Sequence, residues 1–121
     1  MTDIVLRQDK ANALIAIPKR AEHSGPITWP DLGGVIQAPL VSEDRREKFI
    51  LDVSRGRINL VKRTNQLRSH QVIVLVRLDF GGPPHRNPDG DESGCPHLHV
   101  YKEGYADKWA YPLPEGIFTE Y

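Results

Sequence analysis

Gln71-Val72-Ile73-Val74-Leu75-Val76-Arg77-Leu78-Asp79 is the longest β-branched and aliphatic run in the chain. Branched side chains suit a pleated, packed surface, so the run reads as the central strand of a sheet. It is apolar on both faces as far as Arg77. That implies cover on both sides, with an N-terminal helix as the candidate cover for one of them.

Working outward, Phe49-Ile50-Leu51-Asp52-Val53 reads as a strand and Ser54-Arg55-Gly56 as a tight turn. Arg57 to Lys62 reads as the return strand and Thr64-Asn65-Gln66-Leu67-Arg68 as a second, longer turn, which makes a meander over residues 49–79. Ser42 to Lys48 is a charged run, most simply a solvated helical turn. Residues 18–41, with Pro18, Pro26, Pro30, Gly33, Gly34 and Pro39, are expected to form a cover segment anchored by Trp29, with Val35-Ile36 as a short edge strand. The helix is predicted over residues 3–16, capped by Thr2, with Asp3 at its positive end, Ile4, Ala11 and Ile15 on one stripe, and Pro18 as its stop. Downstream, residues 81–94 are broken by Gly, Pro, Asn or Asp at nearly every step and are expected to be loop. A His-x-His strand and a final strand fall within 97–113, separated by a turn at Gly104. Strands joined by short turns pair antiparallel. The expected fold is therefore one α+β domain over residues 1–121, an N-terminal helix packed on a largely antiparallel sheet of about five strands.

A chain of 121 residues has room for one core. Its 16 basic and 16 acidic side chains cancel, which speaks against a general polyanion binder. Their placement is uneven: Val53 to Leu78 holds six cations and no acid, whereas Asp79 to the end holds eight acids and three cations. The one cysteine, Cys95, rules out an internal disulfide and fits a reducing compartment. No apolar run is long enough for a membrane span or a signal peptide, so a soluble, cytoplasmic protein with no membrane partner is expected.

Chemistry concentrates in Cys95-Pro96-His97-Leu98-His99-Val100-Tyr101. Side chains change face at every strand residue, so Leu98 and Val100 are expected to enter the core while His97, His99 and Tyr101 share the opposite face. Metal-independent cleavage of RNA needs a base for the 2′-hydroxyl proton, an acid for the leaving oxygen, and cations for the phosphorane charge. Imidazole titrates near about pH 6.5, which suits His97 and His99, with His85 or Tyr101 as partner. Lys62, Arg68, Arg77 and Lys108 are candidate phosphate-binding residues, and Trp109 or Tyr105 a platform for a base. The plainer reading is a solvated strand face with structural hydrogen bonds.

His97-Leu98-His99-Val100-Tyr101, Glu103-Gly104, Lys108-Trp109-Ala110 and Pro112-Leu113-Pro114 resemble the PHLHxYxEGxxxKWAxPLP block of a family of small uncharacterised bacterial and prophage domains. Gly82-Pro83-Pro84-His85, followed by Asn87-Pro88-Asp89-Gly90, is similar to the same family, and the likeness spans Phe49 to Pro114. More loosely, Pro96-His97-Leu98-His99-Val100 is similar to the PHxHV strand of small domains encoded in toxin–antitoxin-like gene pairs. The resemblance carries no activity with it. It implies a helix after Pro114, and the short stretch left before Tyr121 is expected to reflect either a truncated form or pairing with a partner, a second copy or an antitoxin-like protein.

Other chemistries fit less well. Cys95, His97 and His99 with His85 have the donor types for zinc, but i and i+4 lie about 13 Å apart along a flat strand, which leaves His97 with His99 and His85 as the feasible set. No metal and no cofactor is expected. Asn87-Pro88-Asp89-Gly90-Asp91 lacks the register and distal Glu of a calcium loop and reads as a turn. The strand also resembles that of histidine-triad hydrolases, but Tyr101 stands where a third histidine would fall. Cys95 has no helix N-terminus to lower its pKa and reads as a small strand-end residue. The leading expectation is a toxin-like or prophage-type protein acting on RNA, with His99 as acid/base and His97 as its partner. The alternative is a non-catalytic inhibitor that binds a host protein or nucleoprotein complex, using the basic segment and acidic tail.

Overall fold

In the computed structural model, which describes residues 5–23, 25 and 28–113, nearly every long strand pairs with its predecessor. A helix α1 (Gln8–Ala16) leads into β1 (Lys19–Ala21), β2 (Val35–Ser42), β3 (Lys48–Arg55), β4 (Arg63–Ser69) and β5 (Ile73–Phe80). Then follow two short strands, β6 (His85–Arg86) and β7 (Glu92–Ser93), and finally β8 (His97–Val100) and β9 (Ala110–Pro112). The order β1-β2-β3-β4-β5-β8-β9 makes one seven-stranded antiparallel sheet, and β6-β7 is a separate hairpin inserted between β5 and β8. Among the described residues no helix is long and apolar enough to cross a membrane.

The protein is therefore mostly sheet, which corrects the expectation of one helix on about five strands. Two strands come from the supposed cover segment, where β2 runs eight residues through Pro39. Proline lacks a donor but its carbonyl still pairs, so the strand continues beside β3. Trp29 is exposed rather than anchoring that segment. The meander is also shifted. Residues 57–62 are a loop, closed by Gly56 N donating to Lys62 O at 2.9 Å and Lys62 N to Asn59 O at 3.1 Å, and Thr64–Arg68 belongs to β4. The polar sequence of β4 is stabilised across the sheet: Gln66 and Arg68 both donate to Asp52, and Thr64 Oγ1 donates to Asp79. The helix begins at Gln8 behind Arg7, whose side chain makes no cap, while Thr2, Asp3 and Ile4 lie outside the described residues. It ends as expected just before Pro18. The helix expected after Pro114 likewise falls outside the described residues.

Core and site share the sheet. Ala11 and Leu14 of α1 pack with Phe49, Ile73, Leu75 and Tyr101. The Tyr101 hydroxyl accepts from Leu6 N at 2.7 Å and donates to Leu6 O at 2.8 Å, which ties the chain ahead of α1 to the end of β8. Between β4 and β5 the register slips: Leu67 faces Val76 and Arg68 faces Val74, leaving Leu75 as an extra residue. A bulge of this kind re-aims every residue beyond it. Past it, Arg77 and Asp79 lie opposite Gln66 and Thr64 and, on their other side, His99 and His97. The face expected to be open is thus the enclosed one, since His97, His99 and Tyr101 are buried and Leu98 and Val100 only half-buried.

The inserted segment is fastened at both ends. Gly81, at φ +68°, sits so close to the loop between β3 and β4 that a Cβ there would lie 2.8 Å from the backbone of Val61 and Lys62. Asn59 Nδ2 donates to Gly81 O at 2.7 Å. Farther along, the Asn87 side-chain amide donates to Ala110 O at 2.9 Å and accepts from Ala110 N at 2.8 Å.

Leu14 is fully buried, so Leu14→Ala should cost about 2–5 kcal/mol in denaturant unfolding. Tyr101→Phe should cost about 1–3 kcal/mol through the two Leu6 groups it strands. Ile58→Ser, at an exposed position in the 57–62 loop, should change stability by less than about 0.5 kcal/mol.

Candidate functional site

Asp79 is the residue on which the site converges. Pairing of β5 with β8 puts it across from His97 and places Arg77 across from His99. Its Oδ2 lies 3.2 Å from Nε2 of His97, 3.2 Å from Nε2 of His99 and 3.3 Å from Nε of Arg77. Its Oδ1 accepts from the Thr64 hydroxyl at 3.0 Å. Burial works to raise the Asp79 carboxyl, but the hydrogen bond with His99, the Arg77 charge and the Thr64 hydroxyl outweigh it and hold the group well below the usual carboxylate range.

Backbone carbonyls orient the imidazoles. His99 Nδ1 meets the Asp107 carbonyl at 2.8 Å, and a carbonyl only accepts, so that nitrogen carries the proton. Its Nε2 sits between Asp79 Oδ2 at 3.2 Å and Arg77 Nη2 at 3.0 Å, which ties the ring to both members of that ion pair. His97 is held in a similar way, its ring nitrogens facing Gly94 O at 3.3 Å and Asp79 Oδ2 at 3.2 Å, but without an arginine on its Nε2. A second proton on His97 satisfies both at once. Arg77 is held from the far side by Asp107 at 3.1 Å.

The third imidazole arrives from the inserted hairpin. His85, at the start of β6, has its ring 4.6 Å from that of His99 and 5.9 Å from that of His97. Its Nε2 donates to the Lys108 carbonyl at 2.7 Å, which leaves Nδ1 as the acceptor. An open cavity of about 410 Å³ lies against this group, with His85, His97, Arg77, Asp79, Lys62 and Gln66 in its wall.

Of the residues singled out from sequence, His85, His97, Lys62 and Arg77 thus meet at one cavity. His99 lies directly beneath, 1 % exposed. Tyr101 is in the core on Leu6, and Arg68 is engaged by Asp52 at 2.6 Å. Lys108 contributes its carbonyl to His85, while its side chain is exposed. Trp109 is half-buried, packed edge-on to Tyr105 and beneath the Lys102 ammonium at 4.3 Å, so the platform expected there is already occupied. Asp79, Asp107 and Thr64 were missed. The signal for Asp79 lay in the alternation of β5 and β8, since a strand pair that carries Arg and Asp against two histidines brings them together.

Among the described residues, Asp79, His97 and His99 also form a set whose donor atoms, all within 4.8 Å of one another, could hold a metal ion. Arg77 already delivers a positive charge to the same Asp79 and His99 atoms. Cys95 stands apart from that set, its sulfur 3.3 Å from Gly82 N and 3.4 Å from Asp79 O. Because the folded Asp79 ionises below an unfolded carboxylate, its contribution to stability should be complete above about pH 5 and lost as pH falls through about 4 and below. Unfolding measured against pH should therefore show a shallower acid limb in Asp79→Asn than in the wild type.

No curated protein and no solved structure matches this chain. One family model does, over residues 6–121, nearly the whole length. The chain belongs to that family, described as a family of unknown function (DUF6978).

Proposed function

We propose that this protein cleaves RNA by metal-independent transfer of the phosphodiester to the neighbouring 2′-oxygen. One observation carries the reading: two imidazoles in different hydrogen-bonding states, His85 and His97, border a cavity that also has the exposed Lys62 in its wall. His85, with Nε2–H on the Lys108 carbonyl, offers Nδ1 to take the 2′-hydroxyl proton. The 2′-oxygen then attacks phosphorus. His97, carrying a second proton toward Asp79, supplies the proton that the departing 5′-oxygen requires, and a 2′,3′-cyclic phosphate and a 5′-hydroxyl result. Lys62 offsets the charge that builds on the phosphorane oxygens, while Arg77, paired with Asp79 and Asp107, keeps Asp79 in place beside His97. His99 is a positioning residue in this scheme, since it holds Arg77 and Asp79 without reaching the cavity wall. The looser resemblance of residues 96–100 to small domains of toxin–antitoxin-like gene pairs supports a toxin-like protein, and a single cysteine fits the reducing cytoplasm.

The alternative of a non-catalytic inhibitor rests on the cations of residues 53–78. Its support is thinner, because Arg68 and Arg77 are engaged by acids and Arg55 by the Pro30 carbonyl. Arg57 and Lys62 remain exposed.

Cleavage of a short single-stranded RNA in excess chelator should separate the two. His85→Ala and His97→Ala should each lower kcat at least about a hundredfold while the fold is retained by circular dichroism. Lys62→Ala should mainly raise KM. A folded wild-type protein that cleaves no RNA sinks the proposal. Retention of full activity in both histidine variants would do the same.

A further inference from the structure

The loop between β3 and β4 has no role in that chemistry, yet it carries the largest apolar exposure of the described residues. Ile58 is 96 % exposed, Val61 72 % and Leu60 64 %. Single exposed aliphatics are ordinary, but three within four residues at the tip of a hairpin are not. A neighbouring segment adds to them. Gly33 N donates to Arg55 O at 3.0 Å, and a Cβ at Gly33 would lie 2.8 Å from Arg57 Nε, so residues 29–35 run alongside the base of the tip. They bring Trp29, Leu32 and Val35, all large and exposed.

Charge at this end of the sheet is one-sided. Residues 28–35 and 55–63 together contain Arg55, Arg57, Lys62 and Arg63 against one acid, Asp31. Arg63 lies over the Trp29 ring at 5.4 Å, so cation and aromatic form one surface. A convex tip of aliphatic side chains, an exposed indole beside it and cations around the base suit one partner above others. Aliphatic side chains enter the acyl boundary of a bilayer, indoles settle at headgroup level, and basic side chains meet anionic headgroups. A nucleic acid would use the cations but leave Ile58, Leu60 and Val61 against water.

We propose that the 57–62 loop, with Trp29 beside it, is a docking surface for an anionic lipid bilayer, through which the protein attaches peripherally. No span is involved, because the inserted part is a hairpin tip. The same tip borders the cavity through Lys62, so attachment would bring the cavity mouth close to the headgroups.

The test is co-sedimentation of the full chain with vesicles of phosphatidylcholine containing phosphatidylserine, beside vesicles of phosphatidylcholine alone. The protein should partition onto the anionic vesicles and show weaker binding as salt is raised. Ile58→Ser/Leu60→Ser/Val61→Ser should lower that partitioning about tenfold or more, since several buried methylenes are lost from each side chain. Arg57→Glu should lower it at least about fivefold. All four positions are exposed, so the variants should fold, and circular dichroism checks this. Wild-type protein that stays in the supernatant overturns the proposal. So does partitioning equal in wild type and triple variant, which would leave charge alone as the cause, or a wild-type dimer dispersed by the triple variant without vesicles, which would assign the tip to a second copy. Binding is read without RNA, so this result is independent of the cleavage reading.

Discussion

One carboxylate oxygen organises the polar half of the molecule. Oδ2 of Asp79 is approached by two imidazole nitrogens and a guanidinium, and all of them are at least partly removed from water. A buried anion is tolerated only when partners replace its hydration, and buried imidazoles need acceptors for the same reason. Each member therefore makes the others affordable: without Asp79, Arg77 and His97 would face an unmatched environment. The neighbouring carbonyls of Gly94, Asp107 and Lys108 complete the set by fixing how each ring is turned.

That arrangement depends on one surplus residue in β5. Leu75 serves the core beneath α1, and the slip it introduces brings Arg77 and Asp79 beside Thr64 and Gln66 of β4. An uninterrupted strand would keep a single alternation from Ile73 to Asp79 and so would set the ionic residues on the same side as the apolar ones. The bulge lets one strand serve a hydrophobic core at one end and a charged cluster at the other. Bulges next to functional groups commonly have this use.

How much of this was legible from sequence can be judged residue by residue. The β5 run and the His-x-His alternation were readable, because period-two patterning and branched side chains report directly on strands. The direction of burial was not, since burial of His97 and His99 rests on Asp79 and Arg77, whose positions depend on register. Ile58, Leu60 and Val61 misled in the opposite sense: an apolar, nearly alternating stretch belongs to a loop, while the polar Thr64–Arg68 stretch is a strand satisfied by Asp52 and Asp79. The prolines and glycines of residues 18–41 hid most of β2, which passes through Pro39 because the proline carbonyl still pairs. His85 stood out as a candidate, but only the fastening of its hairpin brings it to the other two rings.

Asn87 shows how narrow that fastening is. Its side-chain amide donates to and accepts from the backbone of Ala110, so a side chain stands in for one peptide unit of a neighbouring strand. Only a group with a donor and an acceptor in one plane can do so; a carboxylate, otherwise the same shape, would set an oxygen against the Ala110 carbonyl. With Gly81 seated on the opposite loop, both ends of the segment are committed, and the room for change in length lies in the exposed Pro88-Asp89-Gly90 turn. Variation in chain length among related sequences should therefore collect at that turn, where it leaves the position of His85 untouched.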